Sequence, residues 1–461
     1  MKGKAIEMNT KKKYEIDMCN GPIFSKILLF AVPLMISGVL QLLFNAMDMI
    51  VVGRYVGPDA LAAVGSTGSL INLMINVFMG LSVGTNVLVA RYYGAGQNKE
   101  LSDMVHTAVL TAFISGVILI FIGFFCSPFA LRLMGSPENV LDQSVLYLRI
   151  YFAGMPAMMV YNFGSAILRA VGDTRRPLYY LIIAGVLNVI LNVFFVVNCN
   201  MGVAGVALAT TISQVLSAVL VILCLLRTDG EYKLYLSKLK IDGSKLFQMA
   251  KIGLPAGLQG AIFSISNVLI QSSINSFGSD AMAGNSAASN IEGFVYTSMN
   301  AIYQTAISFV GQNYGAHKFK RMRAIMTECV LTVIVVGLVS GNLAYYFGET
   351  LLGLYATETE VIKIGMVRLK MICIPYFLCG LMDTLVGCLR GLGRSLLPMF
   401  VSLTGACLFR VIWIMTVFSE NRSLETLYWS YPISWTLTSL AHFVCLLIVY
   451  SAILRKSRSE E

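Results

Sequence analysis

ILRAVGDTRRP (residues 167–177) and CLRGLGRSLLP (388–398) are one passage written twice, 221 positions apart. Leu168-Arg169, Gly172 and Pro177 fall on Leu389-Arg390, Gly393 and Pro398. The register holds outward from there. Tyr93-Gly94-Ala95 falls on Tyr314-Gly315-Ala316, and Gly57, Asp59 and Ala60 fall on Gly278, Asp280 and Ala281. One offset kept over more than a hundred residues is internal duplication. In a chain of mean hydropathy +0.74, duplication points to a transporter, because two-fold repeats build a central site that opens alternately to either side.

Apolar residues make up 57% of the 461 and charged residues 13%, whereas about a quarter of a soluble domain is charged. Twelve apolar stretches follow, near 24–53, 60–90, 103–126, 145–168, 177–197, 203–226, 247–275, 282–312, 324–347, 366–389, 397–418 and 429–453. A helix needs roughly twenty such residues to cross a bilayer. Lipid offers no hydrogen bonds, so spans of this kind satisfy their backbone only as helices. The expected fold is an all-α integral membrane protein, with twelve transmembrane helices in two six-helix lobes related by a parallel internal repeat. Its expected parts are a cytoplasmic leader (1–21), an N-lobe (22–226, spans 1–6), a cytoplasmic linker (227–245), a C-lobe (246–453, spans 7–12) and a cytoplasmic tail (454–461). Six spans per half return the chain to its starting side, so both halves share one orientation about an axis along the membrane normal. The leader reads as short and mobile, and the linker as a cover for the inner face that lets the halves move.

A net charge of +10 suggests nucleic acid in a soluble protein, but here its distribution answers otherwise. Counted from a cytoplasmic N-terminus, 26 of the 34 Lys and Arg lie on the inner side, seven fall in outer loops, and Arg410 lies within a span. This is the positive-inside bias, and it sets both termini in the cytoplasm. No nucleic-acid partner is expected. Ten cysteines without a CxxC pair, most of them in or beside apolar spans, read as buried free thiols, and with three histidines a structural metal site has little support. The first apolar run is too long and lacks a small-residue cleavage site, so it reads as a retained span.

A symmetric scaffold marks its site where symmetry breaks. Asp48 faces Leu269 in the repeat, Glu292 faces Ile71, Asp383 faces Asn162 and Arg410 faces Val189. Each charge is present in one half only. An ionisable side chain inside the bilayer costs at least about 2.5–3.5 kcal/mol, and those that survive face a water-filled cavity or a partner. Asp48, in NAMDMIVVGRYVG, lies toward the outer end of span 1 with Asn45 on its face; pairing with Arg54 is the structural alternative. Asn188 and Asn192 share a face of span 5 by their i, i+4 spacing, and serve either as helix–helix glue or as holders of a carboxylate. Glu292 in NSAASNIEGFVY and Asp383 in CGLMDTLVGCLRG are further cation-coupling and substrate candidates; the structural alternative is a pair with Arg410 or another buried group for Glu292, and with Arg394 or Arg410 for Asp383. Arg410 is a counter-ion candidate. Tyr161, Met299 and Tyr303, with Asn45, are candidates for the wall of a cavity that takes flat apolar cations. The inner loops contain no HExxH, GxSxG or P-loop GxxxxGK[ST], and no cytoplasmic segment is large enough for a nucleotidase domain, so neither an enzyme nor ATP-driven transport is expected.

LLFNAMDMIVVGRYVGPDALAAVG after Pro33, GLSVGTNVLVARYYGAG from Gly80, the paired passages quoted above, MGVAGVALATTISQ (201–214) and SNIEGFVYTSMNAIYQTAISFVGQNYGA (289–316) together carry a resemblance. The chain resembles the multidrug and toxic compound extrusion (MATE) family, prokaryotic multidrug efflux branch, over essentially its whole length. The resemblance implies a monomer in the plasma membrane, with alternating access at a central cavity. Organic cations are exported in exchange for inward protons or sodium ions, with no other cofactor. It maps the family's span 1 aspartate to Asp48 and its span 5 asparagine to Asn188. Where one branch has a second aspartate four residues on, this chain has Asn192. Span 7, GLPAGLQGAIFSISNVLIQSS, lacks the glutamate of another branch, which leaves Glu292 and Asp383 for a C-lobe role, a transient sodium ion near them included. Two other classes stay open. A lipid-linked oligosaccharide flippase of related two-lobe architecture calls for several membrane-embedded Arg or Lys, against the one seen here beside three acids. A channel or other non-transport membrane protein calls for no asymmetric buried acids.

Overall fold

The computed structural model describes residues 14–133 and 138–460, so the lysines at 2, 4, 11, 12 and 13 of the expected leader lie outside the described residues. Among the described residues there is no strand. The first six helical stretches are span 1 (Ile23–Tyr55), span 2 (Pro58–Gly94), span 3 (Asn98–Leu133), span 4 (Glu138–Ala153 then Met155–Ala170), span 5 (Arg175–Asn198) and span 6 (Gly202–Arg227). The second six are span 7 (Gly243–Asn275), span 8 (Ser279–Gly315), span 9 (Phe319–Tyr346), span 10 (Thr359–Gly391), span 11 (Leu396–Glu420) and span 12 (Leu424–Glu460). Ten are apolar and long enough by themselves to cross a membrane. Spans 4 and 8 fall outside that test: span 4 is broken at Gly154 into two helices of 16 residues each, and span 8 carries many Ser, Asn and Gln along 37 residues.

The duplication is written into the backbone as well as the sequence. Pro58–Gly94 becomes Ser279–Gly315 when moved by 221 positions. Gly57 (φ 121°) and Gly278 (φ 96°) open those helices, and Gly172 (φ 103°) and Gly393 (φ 77°) close the loops after spans 4 and 10. Such angles suit glycine, which has no Cβ to clash. At Gly172 space is also decisive, because a Cβ there would lie 2.5 Å from the carbonyl oxygen of Ile16.

The described chain divides into two compact units, residues 14–18 with Leu40–Gly257, and Cys19–Val39 with residues 258–460. The division therefore runs through spans 1 and 7 and not through the linker. The first unit takes the start of span 7 because glycines allow backbones to touch: a Cβ on Gly253 would lie 2.6 Å from Leu81 Cα, and one on Gly257 2.6 Å from Val77 Cα. With Gly80 and Gly84 opposite, this is small-xxx-small packing, which holds helices together in lipid where hydrophobicity cannot. In the second unit the start of span 1 packs on span 8 through Phe30 and Phe309, with ring centroids 5.4 Å apart. A buried cluster there joins spans 7, 10, 11 and 12 through Ile270, Ile274, Ile372, Met382, Phe418 and Trp435.

Residues 14–21 are pinned, in contrast to the mobile leader expected. In the first unit Glu15 accepts hydrogen bonds from the hydroxyls of Tyr93 (2.9 Å) and Tyr232 (2.8 Å), and Ile16 N–H donates to the Gly172 carbonyl (3.1 Å). In the second unit Lys318 Nζ donates to Asn20 Oδ1 (2.7 Å), and Arg321 donates to the carbonyls of Gly21 (2.7 Å) and Asn20 (3.0 Å). The linker is tied to span 3 of the first unit: Tyr235 N–H donates to His106 Nε2 (3.0 Å), and Asp242 N–H donates to Thr107 Oγ1 (3.1 Å).

Candidate functional site

Each unit holds its own group of membrane-embedded polar side chains. In the first, spans 1 and 5 approach because Gly185 has no side chain and the Phe44 ring packs on its backbone. Both spans run in the same direction, so the residues one turn further along also meet. Those are Asp48 on span 1 and Asn188 and Asn192 on span 5. Asn192 Nδ2 donates to Asp48 Oδ1 and to Asn188 Oδ1 (3.2 Å). Span 6 adds Thr210, whose hydroxyl lies 3.4 Å from Asp48 Oδ2 and 3.0 Å from the Val206 carbonyl, and accepts from Asn188 Nδ2 (3.3 Å). One hydroxyl hydrogen serves one acceptor at a time, so Thr210 donates either to the carboxylate or to its own helix. Asn188 and Asn192 are buried, and Asn192 Oδ1 has no partner. Span 5 widens into a π-helical turn at Phe194–Asn198 directly beyond, a distortion that is frequent at functional sites.

The sequence brought Asp48, Asn188 and Asn192 to one place, and the structure joins them. Arg54, the alternative partner, makes no ion pair with Asp48. Thr210 was not singled out, since a threonine in an apolar helix carries no signal until its neighbours are known. Asn45 is exposed, one turn before Asp48.

In the second unit Glu292 is locked. Arg368 Nε and Nη2 donate to its two oxygens at 2.8 and 2.7 Å, while Arg368 Nη1 donates to Asn285 Oδ1 at 2.6 Å. Both charged side chains are under 10% exposed, at 8% and 7%. Its partner is thus Arg368 and not Arg410. Asp383 accepts from the Tyr296 hydroxyl at 3.1 Å and pairs with neither Arg394 nor Arg410. Arg410 donates from Nε to Ser434 Oγ (3.1 Å) and lies over the Tyr431 ring, 4.2 Å from its centroid.

The remaining wall candidates are spent on packing. Met299 is 1% exposed, with its sulfur against Gly337 and Gly380. Tyr303 takes a hydrogen bond from Arg390 Nη1, and the Tyr161 hydroxyl donates to the Pro177 carbonyl (3.1 Å). Among the described residues no cluster of three or more His, Cys, Asp or Glu side chains is poised for a metal ion.

From sequence, Arg410 is the single membrane-embedded cation expected, against three acids. The structure buries Arg368 (6% exposed), Arg390 (5%) and Arg410 (3%) inside helical spans. Span 10 begins at Thr359, seven residues before the apolar run does, which puts Arg368 more than two turns inside the helix instead of at its outer edge.

Comparison with known proteins agrees with this architecture. The sequence profile of the MatE family matches residues 33–194 and again 255–416, once in each half. The chain is 31% identical to the probable multidrug resistance protein YoeA of Bacillus subtilis (strain 168), covering 83% of this chain and 84% of that relative. Among solved structures it is similar to a MATE transporter in complex with MaL6, with a TM-score of 0.88 at 21% identity, covering 95% of this chain and 98% of that one. It is equally similar, with a TM-score of 0.88 at 21% identity over 94% and 97% of the two chains, to a MOP superfamily transporter from Pyrococcus furiosus Vc1, described as having a binding pocket of reversed polarity that suggests a different function. At that identity the two structures show the fold.

Proposed function

This chain belongs to the MatE family of multi-pass membrane transporters, and on that premise we propose that it exports organic cations in exchange for inward protons or sodium ions by alternating access, with both termini in the cytoplasm. The observation that carries the reading is Asp48, a carboxylate within a span whose holders, Asn192 and Thr210, are all neutral. With no cation assigned to it by the fold, it is free to take one from outside. A single carboxylate in a low-dielectric site does not pair with two cations at once, so uptake of a proton displaces an organic cation, and loss of the proton to the inner side restores attraction for the next one.

The neighbouring amides suit both protonation states. When Asp48 is ionised, Asn192 Nδ2 and Thr210 donate to it. When Asp48 carries a proton, a half-turn of the Asn192 amide brings the unpartnered Oδ1 round to accept it, while Thr210 returns to the Val206 carbonyl. Sodium is the second reading, favoured by the oxygens of Asp48, Asn188 and Thr210 converging on one place together with that unpartnered Oδ1.

The test is ethidium efflux from proteoliposomes under proton and sodium gradients imposed separately. Asp48→Asn is expected to fold normally and to lose gradient-driven efflux under whichever ion drives the parent protein. Efflux by Asp48→Asn at the parent rate would remove Asp48 from the exchange.

A further inference from the structure

Three arginines are buried in the second unit, and their hydrogen bonds separate them. Arg368 has every nitrogen engaged, with Nε and Nη2 on Glu292 and Nη1 on Asn285. Arg390 gives its two Nη groups to Tyr303 and Gln259. Arg410 uses only Nε, on Ser434. It has no carboxylate within ion-pair distance, and its two Nη groups have no acceptor among the described residues, yet protein atoms do not cover them completely. A buried guanidinium without an anion is expensive, and its fork of N–H donors matches a carboxylate in both spacing and charge.

The surroundings say what would bring that carboxylate. Arg410 stacks on Tyr431 at 4.2 Å and reaches Trp435 at 5.8 Å. The rings continue as a ladder, Tyr431 to Trp435 (5.6 Å), Trp435 to Tyr376 (5.3 Å) and Tyr376 to Tyr296 (6.4 Å). Tyr296, 37% exposed, ends it by donating to Asp383. Tyr431 and Tyr376 are half-buried and offer ring surface. The backbone leading into Arg410 is a π-helical turn, Leu403–Leu408, as it is beyond Asn192 in the first unit.

We propose that Arg410 is an anion-binding residue that takes the carboxylate of a transported aromatic molecule, the aromatic body resting on Tyr431 and Tyr376. The proposal deepens the transport reading and rests on it: the cargo class includes organic cations that also carry an acid. Ser434 positions the guanidinium by holding Nε, which turns the two Nη groups toward the ligand.

The test uses a matched pair of dyes, rhodamine 110 with a free carboxylate and rhodamine 123, its methyl ester. Binding to the purified full-length protein is read by fluorescence polarisation. A charge-assisted pair is worth roughly tenfold or more in affinity, so the protein is expected to prefer rhodamine 110 by about that factor. Arg410→Gln is expected to bring the ratio of affinities to about one. If that variant does not fold, Arg410→Lys, which keeps the charge and loses the fork, still has to cut the ratio severalfold. Equal affinity for the two dyes in the parent protein, or a ratio untouched by substitution of Arg410, overturns the proposal. Gradient-driven efflux of the same dyes is read separately. Preference without efflux sinks the transport reading and leaves the anion site standing, whereas efflux without preference does the reverse.

Discussion

Glu292 is expected to be a brace and not an exchange site, and the geometry fixes how large the effect of breaking it should be. Two bonds of 2.8 and 2.7 Å join it to Arg368, which makes a third of 2.6 Å to Asn285. Both charged side chains are over nine-tenths buried. Removing one member leaves the other as an uncompensated charge, at about 3–5 kcal/mol, whereas replacing both by apolar residues of similar volume is often neutral or better. Arg368→Met and Glu292→Gln should each lower the melting midpoint of the purified protein, and Arg368→Met/Glu292→Met should recover most of it. For a unit of this size a kcal/mol corresponds to roughly 2–4 °C, so each single variant should melt roughly 6–20 °C lower. The assay is loss of the monodisperse peak on heating, followed by fluorescence-detected size exclusion. A Glu292→Gln protein with the parent midpoint and an altered ion dependence of efflux would refute the reasoning and return Glu292 to the exchange machinery.

Two further outcomes follow from contacts inside the first unit. Gly253→Ala places a methyl group 2.6 Å from Leu81 Cα and should destabilise by about 1–3 kcal/mol as overpacking, read by the same melting assay; an unchanged midpoint would mean that spans 2 and 7 do not touch there. Tyr232→Phe removes one of the two hydroxyls that clasp Glu15, a bond to a charged group worth about 1.5–3 kcal/mol. Exchange of the Ile16 amide, bonded to the Gly172 carbonyl, should therefore quicken at least about tenfold, and unchanged protection would show that Glu15 does not hold the segment.

The repeat and the spans were legible because both are periodic features that lipid enforces. Asp48, Asn188 and Asn192 were legible because polar side chains on apolar helices are rare, and i, i+4 spacing fixes their common face. Arg368 was not. Span 10 starts with Lys363, Arg368 and Lys370 within a dozen residues of Thr359, and three charges around the start of an apolar run at 366 count with the outer loop. A signal was present all the same, since Val361, Gly365, Arg368 and Ile372 recur at helical spacing and all four are buried. An arginine in register with that apolar stripe points inward. For Thr210 and for the clasp on Glu15 no such pattern existed, since each depends on partners from 78 to 217 positions away.

The duplication explains why the two halves need not do the same work. Both copies inherit the helices, the glycine turns and the break in the fourth span of each half, at Gly154 in span 4 and at the 3-10 turn Ile374–Tyr376 in span 10, because these make the scaffold. Side chains at matching positions then diverge. Where the first unit has Asp48 the second has Leu269, 46% exposed, and where the second has Asp383 the first has Asn162, which only donates to the Met158 carbonyl of its own helix (2.8 Å). Charge change is therefore tolerated unequally. Neutralising Asp48 disturbs one amide and one hydroxyl directly, Asn192 and Thr210, and both have other partners. Neutralising Glu292 would strand Arg368 in a buried site, at the several kcal/mol that an unpaired interior charge demands. On the proposed exchange reading, a cycle has to add and remove a charge on every turnover, so it belongs with a carboxylate whose neighbours are neutral, which describes Asp48 and not Glu292.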